Sequence, residues 1–339
     1  MIPIKNVYYM LSYAFQVLNK KQYKKLKTEE FENIAELFSE ILIITLNSQI
    51  KRGLERDYIE KQDTIPTIHG KINITSSITP YIQHRELVCE YDEFTLDSYK
   101  NQIIKTTLNT LIQENISKKQ KKKLKRLLIY FSNVSTIDLN YVNWNIRYHM
   151  NNQTYQMIIT ICQMLYEGLL QNPSKGSMKL LELDEKHMHR LYEKFILEYY
   201  KKEHPYLKAN ASYIYWQLDD NMSTGLPLMK TDITLTHKEN ILIIDAKYYK
   251  NSLQTNYNKK AIHSGNLYQI FTYVKNKTVE VGENYNVSGM LLYAKTDSLE
   301  YPDYTYSMSG NKISAKVLDL NVDFNLICRQ LDKIVEEYF

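Results

Sequence analysis

The residues best suited to chemistry lie in the stretch KTDITLTHKENILIIDAKYYK, from Lys230 to Lys250. Residues 231–235 and 241–244 are rich in β-branched side chains, and the intervening THKEN carries no apolar one, a pattern that predicts a hairpin. A turn symmetric about the bond between Lys238 and Glu239 puts Asp232 opposite Asp245. Two bare carboxylates facing each other on paired strands repel, and a divalent cation would remove that conflict. The period of two puts Lys247 on the face of Asp245, while Ala246 points the other way and offers its backbone carbonyl. Two carboxylates and a carbonyl are hard oxygen ligands suited to Mg2+, so Asp232, Asp245 and Ala246 form the expected metal set. The Lys247 ammonium could orient or activate a water attacking a phosphodiester.

This arrangement is similar to the core of the PD-(D/E)xK nucleases, with Asp232 as the first acid and Asp245-Ala246-Lys247 as the second acid and lysine. The three-residue pattern also occurs at Asp184-Glu185-Lys186, where no apolar strand precedes it, and is read there as chance. The alternative for the Asp232/Asp245 pair is a solvent-facing strand end with an incidental salt bridge. Four consecutive apolar residues, Ile241, Leu242, Ile243 and Ile244, instead point to a strand covered on both faces, where unneutralised acids are costly. In this nuclease fold a helix ahead of the core strands often adds an acid. Glu193, on a helix predicted over 188–203, is the candidate, with a surface pairing to Lys194 or Lys201 as the alternative. His187 and His189 lie about 200° apart on that helix and are rejected as a metal pair. Beyond the lysine, a helix over 261–276 carries Asn266, Gln269 and Tyr273 on one face. RecB-like members of the superfamily carry a glutamine and a tyrosine at this spacing, so Gln269 joins the catalytic set and Tyr273 stands beside it. The alternative is a polar seam on a helix packed against the sheet.

The elements that must position these groups follow from apolar spacing. Helices are expected over 5–18, 29–50, 97–113, 116–131 and 153–170, with strand-like pieces at 64–74 and 85–94. Strands at 287–294 and 313–318 and a closing helix over 322–338 complete a mixed sheet flanked by helices. With only 9 Gly in 339 residues, Gly53 in RGLERDY and Gly70 in IHGKI mark positions needing special backbone geometry. Gly70-Lys71 is not a P-loop, since position 65 is not glycine and Ile72 stands where a hydroxyl residue belongs; this chain should not hydrolyse a nucleotide by itself. The turn-rich QNPSKGS near residue 171 sets the expected boundary between an N-terminal α+β domain, 1–165, and an α/β nuclease domain, 166–339.

Cys89, Cys162 and Cys328 are odd in number and widely spaced, which fits a reducing cytoplasm and neither a disulfide framework nor a zinc site. The N-terminus reads as no signal peptide, and no run approaches membrane-spanning length. The formal net charge of +5 is unevenly spread: residues 1–150 hold 22 Lys+Arg against 16 Asp+Glu, and the rest hold 21 against 22. Much of the excess is KKQKKKLKR, Lys118 to Arg126. Such a run reads as a solvated helix face or as a sequence-independent contact to phosphates.

The segments IPIKNVYYMLSYAF, RGLERDY, IHGKI, NQIIKTTL, LYEKFILEYYKKE, TDITL, ILIIDAKYYK, HSGNLYQIFTYV and GMLLYA occur in the order found in the McrC family, which the chain resembles over nearly its whole length. McrC proteins are nuclease subunits of restriction systems that target DNA containing methylated cytosine. The resemblance implies Asp232, Asp245 and Lys247 as catalytic positions. It further implies an McrB-type AAA+ GTPase hexamer as partner, which binds the GTP, reads the modified base and drives translocation while this chain stimulates its hydrolysis. Double-stranded DNA is the implied substrate, and the N-terminal domain the implied docking part. Thr231 stands where the superfamily motif has proline. Two other functions stay open at this stage: a non-catalytic adaptor that activates the GTPase and grips DNA, and a stand-alone nuclease.

Overall fold

In the computed structural model, residues 2–27, 29–148, 152–170, 185–220, 222–248, 253–256, 259–295 and 301–339 are described. Along the chain run α1 (Ile4–Ala14), α2 (Ile34–Arg52), β1 (Asp57–Ile65), β2 (Lys71–Ile72), α3 (Ile74–His84), β3 (Leu87–Thr95), α4 (Tyr99–Gln113), α5 (Lys118–Leu128) and α6 (Gln153–Leu170). There follow α7 (Glu185–Glu203), β4 (Tyr213–Ile214), β5 (Met229–Lys230), β6 (Ile233–His237), β7 (Asn240–Lys247), β8 (Leu253–Asn256), β9 (Lys259–Ile262), α8 (Ser264–Val281), β10 (Asn286–Ala294), β11 (Tyr304–Met308), β12 (Asn311–Leu318) and α9 (Phe324–Tyr338).

Packing divides the chain into two compact units, one of residues 31–182 and one of residues 1–30 with 183–339. The first thirty residues, expected within an N-terminal domain ending at 165, therefore belong with the C-terminal part. The reason is a set of specific contacts made by α1. Asn6 Nδ2 donates to the carbonyls of Leu320 and Val322 at 2.8 Å each. Tyr9 stacks on Phe324 at 4.5 Å, and Tyr13 meets Phe195 and Tyr199 at 5.7 and 5.4 Å. The stretch 171–177, on which the expected boundary rests, lies outside the described residues.

In the unit of residues 31–182, helices join a three-stranded antiparallel sheet in the order β1-β3-β2. Asn33 caps α2 by accepting from Glu36 N at 2.9 Å, and Gly53 ends it at a φ of 98°. Gly70 sits at a φ of 70°, where an added Cβ would lie 2.3 Å from the Glu90 carbonyl oxygen. Both scarce glycines thus occupy positions that only glycine takes without strain. The strand-like piece expected over 64–74 is occupied only at its ends, by the close of β1 and by β2, and α3 starts at its last residue, Ile74, where Asn73 caps the helix by accepting from Ser76 N at 3.2 Å.

The basic run forms α5, capped by Ser117. Its buried side is Gln120, Leu124 and Leu127. Gln120 bonds the Glu36 carbonyl at 2.9 Å, and Lys123 pairs with Glu40 at 2.5 Å, fastening α5 to α2. The helix is poorly balanced otherwise. No acid stands in its first turn, where cations work against the helix dipole by about 0.3–1 kcal/mol. Lys118–Lys122 and Lys122–Arg126 are like-charge pairs four residues apart, each unfavourable by about 0.2–0.5 kcal/mol.

In the other unit, the sheet order is β11-β12-β10-β7-β6. Strand β7 pairs antiparallel with β6 and parallel with β10; β10 pairs parallel with β12, and β12 antiparallel with β11. The sheet is mixed, as expected. Every residue from Ile241 to Lys247 is buried, so β7 is covered on both faces. Ile241 and Ile243 join Ile270, Tyr273 and Val274 of α8 in one apolar cluster, while α7 packs against β6 and β7. Helix α8 approaches β10 closely at Gly289, where a Cβ would come 2.7 Å from Val274 and 2.8 Å from Ile270. All three cysteines are free thiols. Among the described residues no helix is long and apolar enough to cross a membrane.

Candidate active site

Strands β6 and β7 take the register that the polar turn predicts: Ile233 pairs with Ile244 and His237 with Asn240, and Lys238 takes a left-handed φ of 52° in the turn. One step beyond the last pair, Asp232 faces Asp245. Rather than meeting that carboxylate directly, Asp232 Oδ2 accepts from the Ala246 backbone N–H at 2.9 Å. Thr231 N donates to the Ser212 carbonyl at 2.9 Å, and its hydroxyl bonds Ser212 and Thr234. A proline at 231 could not make that backbone bond.

On the other strand Lys247 Nζ lies 2.8 Å from Asp245 Oδ2. The ammonium is thus the partner of Oδ2, which is fully buried. Lys247 Nζ also donates to Gln269 Oε1 at 3.3 Å, and Gln269 Nε2 donates to the Tyr273 hydroxyl at 3.0 Å. Five expected residues, Asp232, Asp245, Ala246, Lys247 and Gln269, are therefore gathered at one end of β7, with Tyr273 buttressing Gln269. Asn266 belongs to the same helix face but is turned to the Tyr293 hydroxyl, 3.2 Å away.

Burial governs the electrostatics. It raises the Asp232 carboxyl, with the charges of Asp245 and Glu193 adding to it, to about 7, against the pull of the Ala246 N–H and Lys247. Burial likewise pushes Asp245 up, opposed by the Lys247 ammonium beside it. Glu193 is thus close enough for its charge to be felt by both acids. Its nearest partner is neither expected lysine but His189, whose Nε2 lies 3.0 Å from Glu193 Oε1. That bond raises the His189 pKa above its ordinary value. His189 is a neighbour of the site that weighing it only against His187 missed; its spacing of four from Glu193 was the available signal.

The donor set fits a small divalent cation. Asp245 is buried and Asp232 half-buried; burial raises both carboxyls, and the Asp245 charge raises Asp232 further, so a cation between them would relieve that cost. Among the described residues no three His, Cys, Asp or Glu side chains gather at ligating distance. A cation would accordingly take Asp232, Asp245, main-chain oxygen and water, a set that suits Mg2+, which keeps several waters.

Fold and site together define an α/β unit whose mixed sheet carries an acid–acid–lysine centre at a strand end. A family model described as McrBC 5-methylcytosine restriction system component matches residues 4–294. The type IV methyl-directed restriction enzyme EcoKMcrBC of Escherichia coli (strain K12) is 30% identical over 349 residues, covering 99% of this chain and 98% of that protein. The chain belongs to the McrBC family of restriction-system components. Its fold is also similar, with a TM-score of 0.50 and 17% identity, to a chain in the refined half-complex of Thermococcus gammatolerans McrB AAA+ hexamers with bound McrC, covering 98% of this chain and 76% of that one.

Proposed function

We propose that this chain is the DNA-cutting subunit of a GTP-dependent restriction system directed at methylated cytosine, with a PD-(D/E)xK centre at Asp232, Asp245 and Lys247. The observation that carries the reading is the bonded series Asp232, Ala246, Asp245, Lys247, Gln269 and Tyr273, assembled from two strands and α8 in the order of the nuclease motif. Asp232, Asp245 and the Ala246 carbonyl would hold Mg2+. When bound, the cation supplies a Lewis acid that draws charge from a phosphate oxygen and lowers the pKa of water. Lys247, gripped by Asp245 and Gln269, donates hydrogen bonds that orient the attacking water and offset negative charge growing on the phosphate. Gln269 fixes that ammonium and is itself fixed by Tyr273. Glu193 adds negative charge at the site and, bound to His189, keeps that imidazole in place.

The partner in this reading is an McrB-type AAA+ GTPase hexamer, whose GTP hydrolysis the chain stimulates. Support comes from the family and from the solved assembly that pairs McrB hexamers with McrC. Methylated plasmid, partner, GTP and Mg2+ make up the test, run with wild type and with Asp245→Asn and with each component left out in turn. Cutting that requires every component and vanishes in Asp245→Asn is the expected result. Stimulated GTP hydrolysis without cutting by either protein would make the chain an adaptor, and cutting without the partner would make it a stand-alone nuclease.

A further inference from the structure

Helix α5 is divided sharply. Gln120, Leu124 and Leu127 fall on its buried side, whereas Lys118, Lys119, Lys122, Lys125 and Arg126 are exposed and, at 100° per residue, fall within one arc of about 120° on the opposite side. Among the described residues none of these five has an ion-pair partner. The two intervening cations differ: Lys123 is bound to Glu40, and Lys121 is close enough to Glu114 to act on its charge. The helix thus separates cations used to hold the fold from cations that fold stability does not use. The latter work against the helix, through like-charge pairs four apart and a first turn lacking any acid. An anion laid along the row would relieve both.

We propose that this row binds the phosphate backbone of double-stranded DNA without regard to base sequence. The inference rests on the reading of the chain as a DNA-cutting subunit, and adds a grip in the unit of residues 31–182, which does not contain the acid pair. Lys118 to Arg126 span about 12 Å of helix axis, and duplex DNA carries one charge per about 1.7 Å of its own axis, so several phosphates lie within reach. Lysine outnumbers arginine four to one in the row. Lysine acts as a point charge on a flexible stem, whereas arginine is the usual bidentate reader of guanine, so the composition suits holding rather than reading.

The test uses the full chain, a fluorescent duplex in methylated and unmethylated forms, and magnesium-free buffer containing a chelator, with anisotropy read as salt is raised. In the variant carrying Lys118→Gln, Lys119→Gln, Lys122→Gln and Lys125→Gln, the slope of log affinity against log salt should shrink by about 0.9 for each phosphate no longer neutralised, with binding about tenfold weaker or more at low salt on both duplexes. The matching Lys→Arg variant should bind as wild type does, which separates removal of charge from a disturbed helix. Unchanged affinity and slope would overturn the proposal. So would a weakening confined to the methylated duplex, or a variant that binds DNA normally but no longer binds an AAA+ partner, which would make the row a protein-binding surface. Asp245→Asn separates the two readings: it should keep the wild-type slope, and if it still cuts DNA the catalytic reading fails while the slope continues to report on α5.

Discussion

The acid pair at the end of β6 and β7 and the lysine row on α5 each bring like charges together, but in opposite settings. Asp232 and Asp245 are held by strand register inside a covered sheet, and the protein itself supplies partial compensation through the Ala246 N–H and Lys247. The row on α5 is held by the apolar side of one helix, and water and salt supply its compensation. Burial makes the first cluster costly and exact, a place for one small hard cation. Exposure makes the second inexpensive and tolerant, suited to an extended polyanion with no fixed register.

The sharpest way to break this contrast is Asp245→Asn. Cleavage should fall by about 10²–10³-fold or more, while the melting temperature in metal-free buffer should change little, because the lost pairing with Lys247 is offset by the lost repulsion of Asp232. The melting-temperature rise that Mg2+ gives the wild type should disappear with it. A variant that lost both cutting and stability would show Asp245 to be structural.

Next in size is the pH dependence of metal-free protein. The folded-state pKa of Asp232 is raised from 3.8 to about 7, so the folded state binds its proton more tightly than the unfolded chain. Stability from this group is therefore greatest at low pH. It declines as pH climbs from about 4 towards 7, by about 1 kcal/mol per pH unit, and levels off above that. Scanning calorimetry across this range should show the decline without Mg2+ and a flatter curve with it; a decline that Mg2+ leaves untouched would argue against a cation between these acids.

A smaller effect should follow from Gln269→Ala, which removes the Lys247–Gln269 bond. About 1 kcal/mol of positioning corresponds to about fivefold in kcat, with KM and melting temperature little changed. Smallest is Lys118→Glu. An acid in the first turn of α5 should stabilise the protein by up to about 1 kcal/mol while DNA binding weakens several-fold in anisotropy. Loss of stability instead would mean that α5 needs its charges for folding.

Much of the site is legible in the sequence because its geometry is local. Two β-branched runs around a short polar turn set the register from residue 233 to residue 244, and a period of two then places Asp245 and Lys247 together. Helical spacing puts Gln269 on one face with Asn266 and Tyr273, and its place beside the lysine rests on the likeness to RecB-like nucleases. What escapes depends on surroundings. His189 and His187 point apart on their helix, and the bond from His189 to Glu193 gains meaning only when α7 lies near the acids. Helix α3 falls in a gap between the expected strand-like pieces at 64–74 and 85–94: it starts behind the capping Asn73, and Ile74, Ile78 and Ile82 are exposed on it, so it carries little apolar signal of burial. No local pattern announces that α1 belongs with residues three hundred positions away, because Tyr9 and Tyr13 have the same spacing whichever aromatic surface they meet.

That attachment of α1 sets a schedule for making the protein. Helix α1 leaves the ribosome well ahead of its partners: the carbonyls of Leu320 and Val322 that its Asn6 holds are made more than three hundred residues later. At about 5–20 residues per second, α1 waits roughly 15–60 s with Tyr9 and Tyr13 uncovered while residues 31–182 can complete a unit of their own. A fragment starting at residue 166 would have the converse defect, a sheet and acid pair without the helix that covers Phe195, Tyr199 and Phe324, and adding α1 back as a separate peptide should restore its folding.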